Sequence, residues 1–136
     1  MVREIMHDPM FLSQKSDRAD RSDIRTLQDL VDTLVYHRKE CVGMAANMIG
    51  VRKRVIVFDD AGMIKTMMNP EIIAKSGEYE AEEGCLSLMG TRKTKRYEKI
   101  TVRFENAFGQ TQSQQFSGWT AQIIQHGIDH CNGILI

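Results

Sequence analysis

The sequence predicts a single α+β domain spanning residues 1–136, in which antiparallel β-sheets pack around a C-terminal helix and one amphipathic helix precedes the strands. Three observations predict this fold class. An apolar repeat with helical spacing follows the polar start, alternating and β-branched segments fill the middle, and a helical repeat returns near the end. The length of 136 residues suits one hydrophobic core.

The first predicted helix begins at Asp23 and carries its apolar residues on one face. These residues recur every three or four positions: Ile24, Leu27, Leu30, Val31, Leu34 and Val35. Ser22 is placed to cap the helix, and Asp23 suits its first turn, where a negative charge is favourable. The segment "VGMAANMIGV" (42–51) then mixes small residues with glycines, so the backbone there could pass close to a ligand.

The middle of the chain is predicted to be β-rich. It starts with a buried strand, "RVIVFD" (54–59), and a "DDAG" turn. Further strands are predicted within 62–73, 77–88, 91–106 and 111–118. The basic stretch "TRKTKR" (91–96), with Arg92, Lys93, Lys95 and Arg96, is interpreted as a solvated strand or hairpin edge, where lysines deter edge pairing.

The second predicted helix begins at Trp119. From there Trp119, Ile123, His126 and His130 fall on one helical face. Cys131, directly after His130, is interpreted as a core residue, and the closing "GILI" (133–136) is interpreted as a final strand. We expect no further helix after it.

Charge and cysteine content narrow the function classes. Lys+Arg and Asp+Glu each total 18, so the chain lacks the basic excess of a general nucleic-acid binder, and no DNA partner is expected. No apolar run approaches the ~20 residues of a membrane helix, so no membrane partner is expected.

The start of the chain carries charges where a signal peptide needs apolar residues. The three widely spaced cysteines favour reduced thiols or a metal ligand, which predicts a cytoplasmic location.

His126 and His130 stand four residues apart in the predicted helix, so both imidazoles project from the same side. This spacing is typical of two ligands of one tetrahedral metal site, although it also fits two polar residues at a helix surface. Cys85, in "EEGCLS", is the best candidate for a third ligand, with Glu82 and Glu83 available to contact the ligands. The alternative interpretation is that Cys85 is a buried core thiol, which is the more common role of an isolated cysteine.

Three motifs, taken in order, resemble those of the peptide deformylase family, metalloenzymes that remove the formyl group from formyl-methionine at the start of new peptides. The segments are "CVGMAANM" (41–48), "EGCLS" (83–87) and "QHGIDH" (125–130). The family forms are G-x-G-φ-A-A-x-Q, E-G-C-L-S and Q-H-E-x-D-H. The spacing and order match, and the resemblance covers essentially the whole chain.

The resemblance implies that Cys85, His126 and His130 bind one divalent metal ion. In the family this ion is physiologically Fe²⁺, and Zn²⁺ or Ni²⁺ can replace it. Such an ion activates water for attack on the formyl carbon and polarises the carbonyl. The backbone N–H of Leu86 would help to stabilise the developing oxyanion.

The resemblance also implies a substrate groove and partners. Val42, Gly43, Trp119 and Ile123 match positions that line the peptide backbone and the methionine pocket, and methionine recognition calls for an apolar pocket. The expected partners are nascent formyl-methionyl peptides, with transient contact at the ribosome. Contact of the basic stretch with rRNA is the functional alternative to a solvated edge.

The chain departs from the family pattern at Cys41, Met48 and Gly127. Met48 replaces a glutamine and has no N–H to offer the oxyanion, a loss that typically costs about 10²–10³ in rate. Gly127 replaces the glutamate that handles protons, and general acid–base catalysis contributes about 10²–10⁴. Nothing in the helix sequence calls for glycine there, where it costs about 1 kcal/mol relative to alanine.

Three functional interpretations follow. The leading one is a peptide deformylase with activity impaired by Gly127. A second is a non-catalytic protein that keeps the metal and binds formyl-methionyl peptides. A third treats the metal only as a stabiliser of the fold.

Overall fold

The computed structural model describes residues 1–136 and contains one five-stranded antiparallel sheet that packs against two long helices, with a further short helix near the start. The α+β prediction is confirmed. The helices are α1 (Pro9–Leu12), α2 (Ile24–Tyr36) and α3 (Gly118–Cys131), and the strands are β1 (Gly43–Ala45), β2 (Val55–Asp60), β3 (Met63–Cys85), β4 (Leu88–Glu105) and β5 (Thr111–Ser117). Each strand pairs with its neighbour in sequence, in the order β1-β2-β3-β4-β5.

Strand β2 lies at the centre of the core and is buried on both faces. Ile56 and Phe58 pack with apolar residues of α3, whereas Val55 and Val57 pack with apolar residues of α2. Successive side chains of a strand point to opposite faces, so the two pairs contact different helices. Burying each such side chain contributes roughly 1.5–3 kcal/mol, which explains why this segment is apolar without interruption.

Strands β3 and β4 form a long hairpin that carries part of the candidate site to α3. The predicted segments 62–73 and 77–88 join into one strand that ends at Cys85, because bulges between Met68 and Ala74 do not end β3. The last residue of the second segment, Leu88, already belongs to β4. Cys85, the last residue of β3, pairs with Leu88. Strand β5 pairs with β4 only from Lys99 onward, so the tip half of the hairpin extends beyond it.

Two local predictions need correction. Ser22 does not cap α2, because a 3-10 turn at Arg21–Asp23 precedes the helix and Asp20 caps that turn, accepting from the Ser22 N–H at 2.8 Å. The closing "GILI" is not a strand, since the Ile134 N–H donates to the Asp129 carbonyl at 2.9 Å and so completes the end of α3.

The short helix α1 was not predicted from the sequence. Pro9 starts it, and Asp8 accepts from the Met10 N–H at 3.0 Å. None of the helices combines the length and apolar character that crossing a membrane would require.

Candidate metal centre

Three donor atoms converge where the tip of the β3–β4 hairpin meets α3. Cys85 Sγ lies 3.3 Å from His130 Nε2, and the two histidine Nε2 atoms lie 3.1 Å apart. All three donor atoms fall within 4.8 Å of one another. Helical spacing brings His126 and His130 together, and the end of β3 brings Cys85 to them.

These separations fit a tetrahedral metal site. Bond lengths of about 2.0 Å to nitrogen and about 2.3 Å to sulfur place tetrahedral ligands roughly 3.3 Å apart for two nitrogens and roughly 3.6 Å apart for nitrogen and sulfur. The distances of 3.1 and 3.3 Å come within about 0.3 Å of these values. Thiolate and imidazole are suitable ligands for Fe²⁺ or Zn²⁺, so the donor set fits the metal that the sequence implies.

The electrostatics of the site favour a thiolate. Burial alone would raise the pKa of the Cys85 thiol, but hydrogen bonds from His126 and His130 outweigh it and lower the pKa to about 5. Burial alone would lower the pKa of His126, but its hydrogen bonds to Cys85 and Glu83 raise it to about 9. The ligand that must be anionic to bind metal is therefore ionised at neutral pH.

Glu83 holds His126 from behind the donor cluster. Its Oε1 lies 2.9 Å from His126 Nδ1, which leaves Nε2 free to face the other donors. Arg96 donates to both oxygens of Glu83, at 2.9 and 2.7 Å, and to Asp129 Oδ2 at 2.7 Å. Burial opposes ionisation of Glu83, but its hydrogen bonds from His126 and Arg96 lower the pKa to about 2.

The interpretation of Arg96 as part of a solvated edge is wrong. Its side chain is 3% exposed, because β4 turns it toward α3. Lys93 and Lys95 are exposed as expected and lie near Glu80 and Glu78, at 3.9 and 3.2 Å. The sequence offered no direct signal for Arg96, since only strand register decides which basic residue faces inward. Of the two glutamates expected to contact the ligands, Glu83 does so, whereas Glu82 accepts from the Thr91 hydroxyl.

A cleft of about 670 Å³ opens onto the donor cluster. All predicted site residues line it: Val42, Gly43, Met48, Cys85, Leu86, Trp119, Ile123, His126, Gly127 and His130. Trp119 lies exposed at the rim and Ile123 lies buried inside. The structure therefore brings together residues from three separate segments of the chain.

Met48 and Asn47 differ in where their side chains point. Met48 lines the cleft, and its sulfur accepts from the Ala45 N–H at 3.5 Å, so it presents no donor. The Asn47 amide nitrogen donates to the His130 carbonyl at 2.9 Å and does not line the cleft. The Asn47 amide therefore does not replace the missing glutamine.

Two glycines sit at tight contacts between the sheet and α3. A Cβ on Gly43 would lie 2.7 Å from Ile123 Cγ2, closer than real Cβ atoms come. A Cβ on Gly127 would lie 3.2 Å from Ile56 Cγ2, so Ile56 would have to shift by a few tenths of an ångström. Buried Ile56 therefore packs directly against Gly127, a contact that the helix sequence alone did not indicate.

Comparison with known proteins identifies relatives over the whole chain. The family described as polypeptide deformylase matches residues 2–136. A peptide deformylase of Clostridium beijerinckii is 50% identical over 136 residues, which cover all of both chains.

Solved structures agree with this similarity. The peptide deformylase of Thermotoga maritima is 28% identical with a TM-score of 0.89, covering 99% of this chain and 95% of that one. A Met-Ala-Ser-bound class I type b peptide deformylase from Acinetobacter baumannii is 26% identical with a TM-score of 0.89, covering 99% and 97%.

Proposed function

The chain belongs to the polypeptide deformylase family, and we propose that it is a metal-dependent hydrolase of N-formyl-methionyl peptides whose turnover is slowed by Gly127. The observation that carries this proposal is the convergence of Cys85, His126 and His130 at the floor of the cleft. The family is one of hydrolases that act in protein biosynthesis.

Cys85, His126 and His130 would hold one divalent metal ion, with Fe²⁺ as the family's ion and Zn²⁺ or Ni²⁺ as substitutes. When bound, such an ion lowers the pKa of water and polarises the formyl carbonyl. Glu83 contributes by orienting His126, and Arg96 keeps Glu83 in place. Leu86 follows the end of β3 and lines the cleft, which supports the proposal that its backbone N–H faces the oxyanion.

The cleft suits a methionyl peptide. Val42, Trp119 and Ile123 give it apolar walls, and Gly43 lets α3 approach β1 closely. A relative with the same fold binds Met-Ala-Ser, which supports the binding of a short methionyl peptide in this cleft.

Slow turnover is proposed because no side chain replaces the missing base. Gly127 has none, and Glu83 is a weak base, with hydrogen bonds from three side chains and a pKa of about 2. Two other carboxylates line the cleft, but Glu40 lies 3.0 Å from His37 and Glu82 accepts from Thr91 at 2.6 Å. Losing general acid–base catalysis costs about 10²–10⁴ in rate.

The test is deformylation of formyl-Met-Ala-Ser by protein loaded anaerobically with Fe²⁺. The Gly127→Glu variant should be faster than the unsubstituted protein by about 10²–10⁴. Gly127→Gln is the matched control, because it makes the same contact with Ile56 but offers no base. A fast unsubstituted protein, or equal rates for the Glu and Gln variants, would contradict the proposed impairment.

A second candidate function is capture of formyl-methionyl peptides without hydrolysis. It is favoured by the loss of both catalytic side chains, at Met48 and Gly127, from a cleft that keeps its donors. Calorimetric binding of formyl-Met-Ala-Ser by the unsubstituted protein, with no turnover even in Gly127→Glu, would favour this function.

We propose nascent formyl-methionyl chains as the partners, met in the cytoplasm with transient contact at the ribosome. Such contact would not depend on the 91–96 stretch, because Arg96 is buried and Lys93 and Lys95 lie beside carboxylates. We therefore do not propose that residues 91–96 form a basic surface that binds RNA.

A further inference from the structure

We infer that Asn47 is a positioning residue for His130, and that its side-chain oxygen receives the Nδ1 hydrogen of that histidine through one water molecule. The inference rests on the proposed metal site at Cys85, His126 and His130. It assigns a role to a side chain that lies behind the cleft and touches neither the substrate nor the metal.

The first observation is that the Asn47 side chain is buried and held in one orientation. It is 1% exposed, and its Nδ2 donates to the His130 carbonyl at 2.9 Å. The reversed carboxamide would set its oxygen against that carbonyl oxygen, with no hydrogen between them. The amide oxygen therefore lies beside His130, on a carboxamide already bonded to that residue.

The second observation is that each of these two residues has one buried side-chain atom without a protein partner. One is Asn47 Oδ1 and the other is His130 Nδ1. Asn47 Oδ1 is an acceptor, and His130 Nδ1 carries a hydrogen whenever Nε2 of the same ring binds a metal. Buried polar groups in native proteins are almost always hydrogen-bonded to protein or to ordered water, so a bridging water fits both.

The two histidines differ in the partner of Nδ1, which His126 has and His130 lacks. His126 Nδ1 lies 2.9 Å from Glu83, which fixes the ring and directs Nε2 toward the donors. Metal-binding histidines almost always donate their other ring N–H to such an acceptor. His130 is fully buried and has no carboxylate of this kind at Nδ1, and Asn47 is the side chain that donates to its backbone carbonyl.

Competing acceptors are less suitable. Ser16 and Ser87 also have buried hydroxyls without a partner, but neither makes a hydrogen bond to His130. Closing the end of α3 does not require Asn47, because the His130 carbonyl also accepts from the Gly133 N–H at 3.1 Å. A purely structural role for Asn47 as a helix cap would therefore be redundant.

The test compares Zn²⁺ affinity and the His130 ring signals in three variants. In Asn47→Leu, which has no acceptor, we expect Zn²⁺ affinity to fall about 10–100-fold. In Asn47→Gln, which keeps both an amide donor for the His130 carbonyl and an acceptor oxygen, we expect a Zn²⁺ affinity closer to that of the unsubstituted protein than in Asn47→Leu. Asn132→Leu is the matched control: it alters an asparagine at the end of α3 that binds Arg54, and we expect unchanged Zn²⁺ affinity.

Nitrogen-15 NMR of the Zn²⁺-loaded, unsubstituted protein provides a readout that does not depend on the variants folding. We expect a slowly exchanging Nδ1 hydrogen on His130, close to the Asn47 side-chain amide, that disappears in Asn47→Leu. A rapidly exchanging Nδ1 hydrogen in the unsubstituted protein, or unchanged affinity in Asn47→Leu, would overturn the role of Asn47. Failure of the unsubstituted protein to bind Zn²⁺ would instead overturn the metal site itself.

Discussion

Arg96 holds both carboxylate oxygens of Glu83, at 2.9 and 2.7 Å, in a pair whose side chains are only 3% and 7% exposed. The same guanidinium reaches Asp129 on α3, and the same carboxylate reaches His126. This buried network therefore joins the hairpin to the helix and orients a metal ligand at the same time.

Arg96→Leu should destabilise the protein and weaken metal binding together. Removing one member of a buried ion pair typically costs 3–5 kcal/mol, roughly, because the remaining charge lacks its partner. Loss of the contact that fixes Glu83 should also lower Zn²⁺ affinity by about 10–100-fold. Chemical denaturation of the metal-free protein and a competitive Zn²⁺ titration measure the two effects.

Lys95→Met is the control for Arg96→Leu. Lys95 is a neighbouring cation on the same strand, but it is exposed and lies near Glu78 at 3.2 Å. Its replacement should leave the stability almost unchanged, because an exposed ion pair contributes little. Equal effects of the two substitutions would show that the buried network contributes nothing specific.

Cys85 should be the most reactive thiol of the metal-free protein at mildly acidic pH. Its pKa is lowered to about 5, so its thiolate persists above that pH and is lost as the pH falls through it. Burial raises the pKa of Cys41, and raises that of Cys131 to about 12. Alkylation by iodoacetamide, mapped by mass spectrometry between about pH 4 and about pH 8, should show a midpoint near 5 at Cys85.

A midpoint near the ordinary thiol value of about 8.5 at Cys85 would contradict this prediction. Cys85→Ala provides the control, because it should abolish the fast alkylation and leave the slow reaction of the other two thiols.

Gly43→Ala should destabilise the protein by about 1–3 kcal/mol through overpacking. The added Cβ would lie 2.7 Å from Ile123 Cγ2, inside the contact between β1 and α3. Gly84→Ala is the matched control, since its Cβ would meet its nearest neighbours at 3.6 and 3.8 Å, which is ordinary contact. Urea denaturation measures the free energy of unfolding of both metal-free variants. Equal stability of Gly43→Ala and Gly84→Ala would refute the steric argument.

Chelation should lower the melting temperature while leaving the fold intact. The two core clusters, of 13 and 11 buried residues, include none of the three metal-binding residues among those members. A metal at about 100 times its Kd adds only about 2.7 kcal/mol to stability. Far-UV circular dichroism with and without chelator tests this, and loss of the signal at room temperature would support a metal that serves only to stabilise the fold.

The sequence predicted the elements whose patterns are long and regular. Helix α2 shows an uninterrupted one-faced repeat, and β2 is apolar throughout because it is buried on both faces. The order of the three motifs also predicted that Cys85, His126 and His130 lie together. These features depend on local periodicity or on a family resemblance, and both can be read along one chain.

The features that were missed depend on contacts between distant segments. Arg96 looks like its basic neighbours until strand register turns it inward against Glu83. The contact of Ile56 with Gly127, and that of Asn47 with His130, likewise appear only when β2 and the short 3-10 helix Ala46–Ile49 meet α3. The Asp20 cap was missed because an extra 3-10 turn precedes α2.

The pairing of every strand with its sequence neighbour has a consequence for the order of folding. Each strand pairing can form by closing the chain between two neighbouring strands, without a crossover from a distant segment. The donor cluster joins Cys85 to His130, 45 positions along the chain, and needs α3 already packed on the hairpin. A metal can therefore engage fully only in a late, nearly native state. We expect metal loading to slow unfolding much more than it accelerates folding, because the metal stabilises contacts that are absent from the folding transition state.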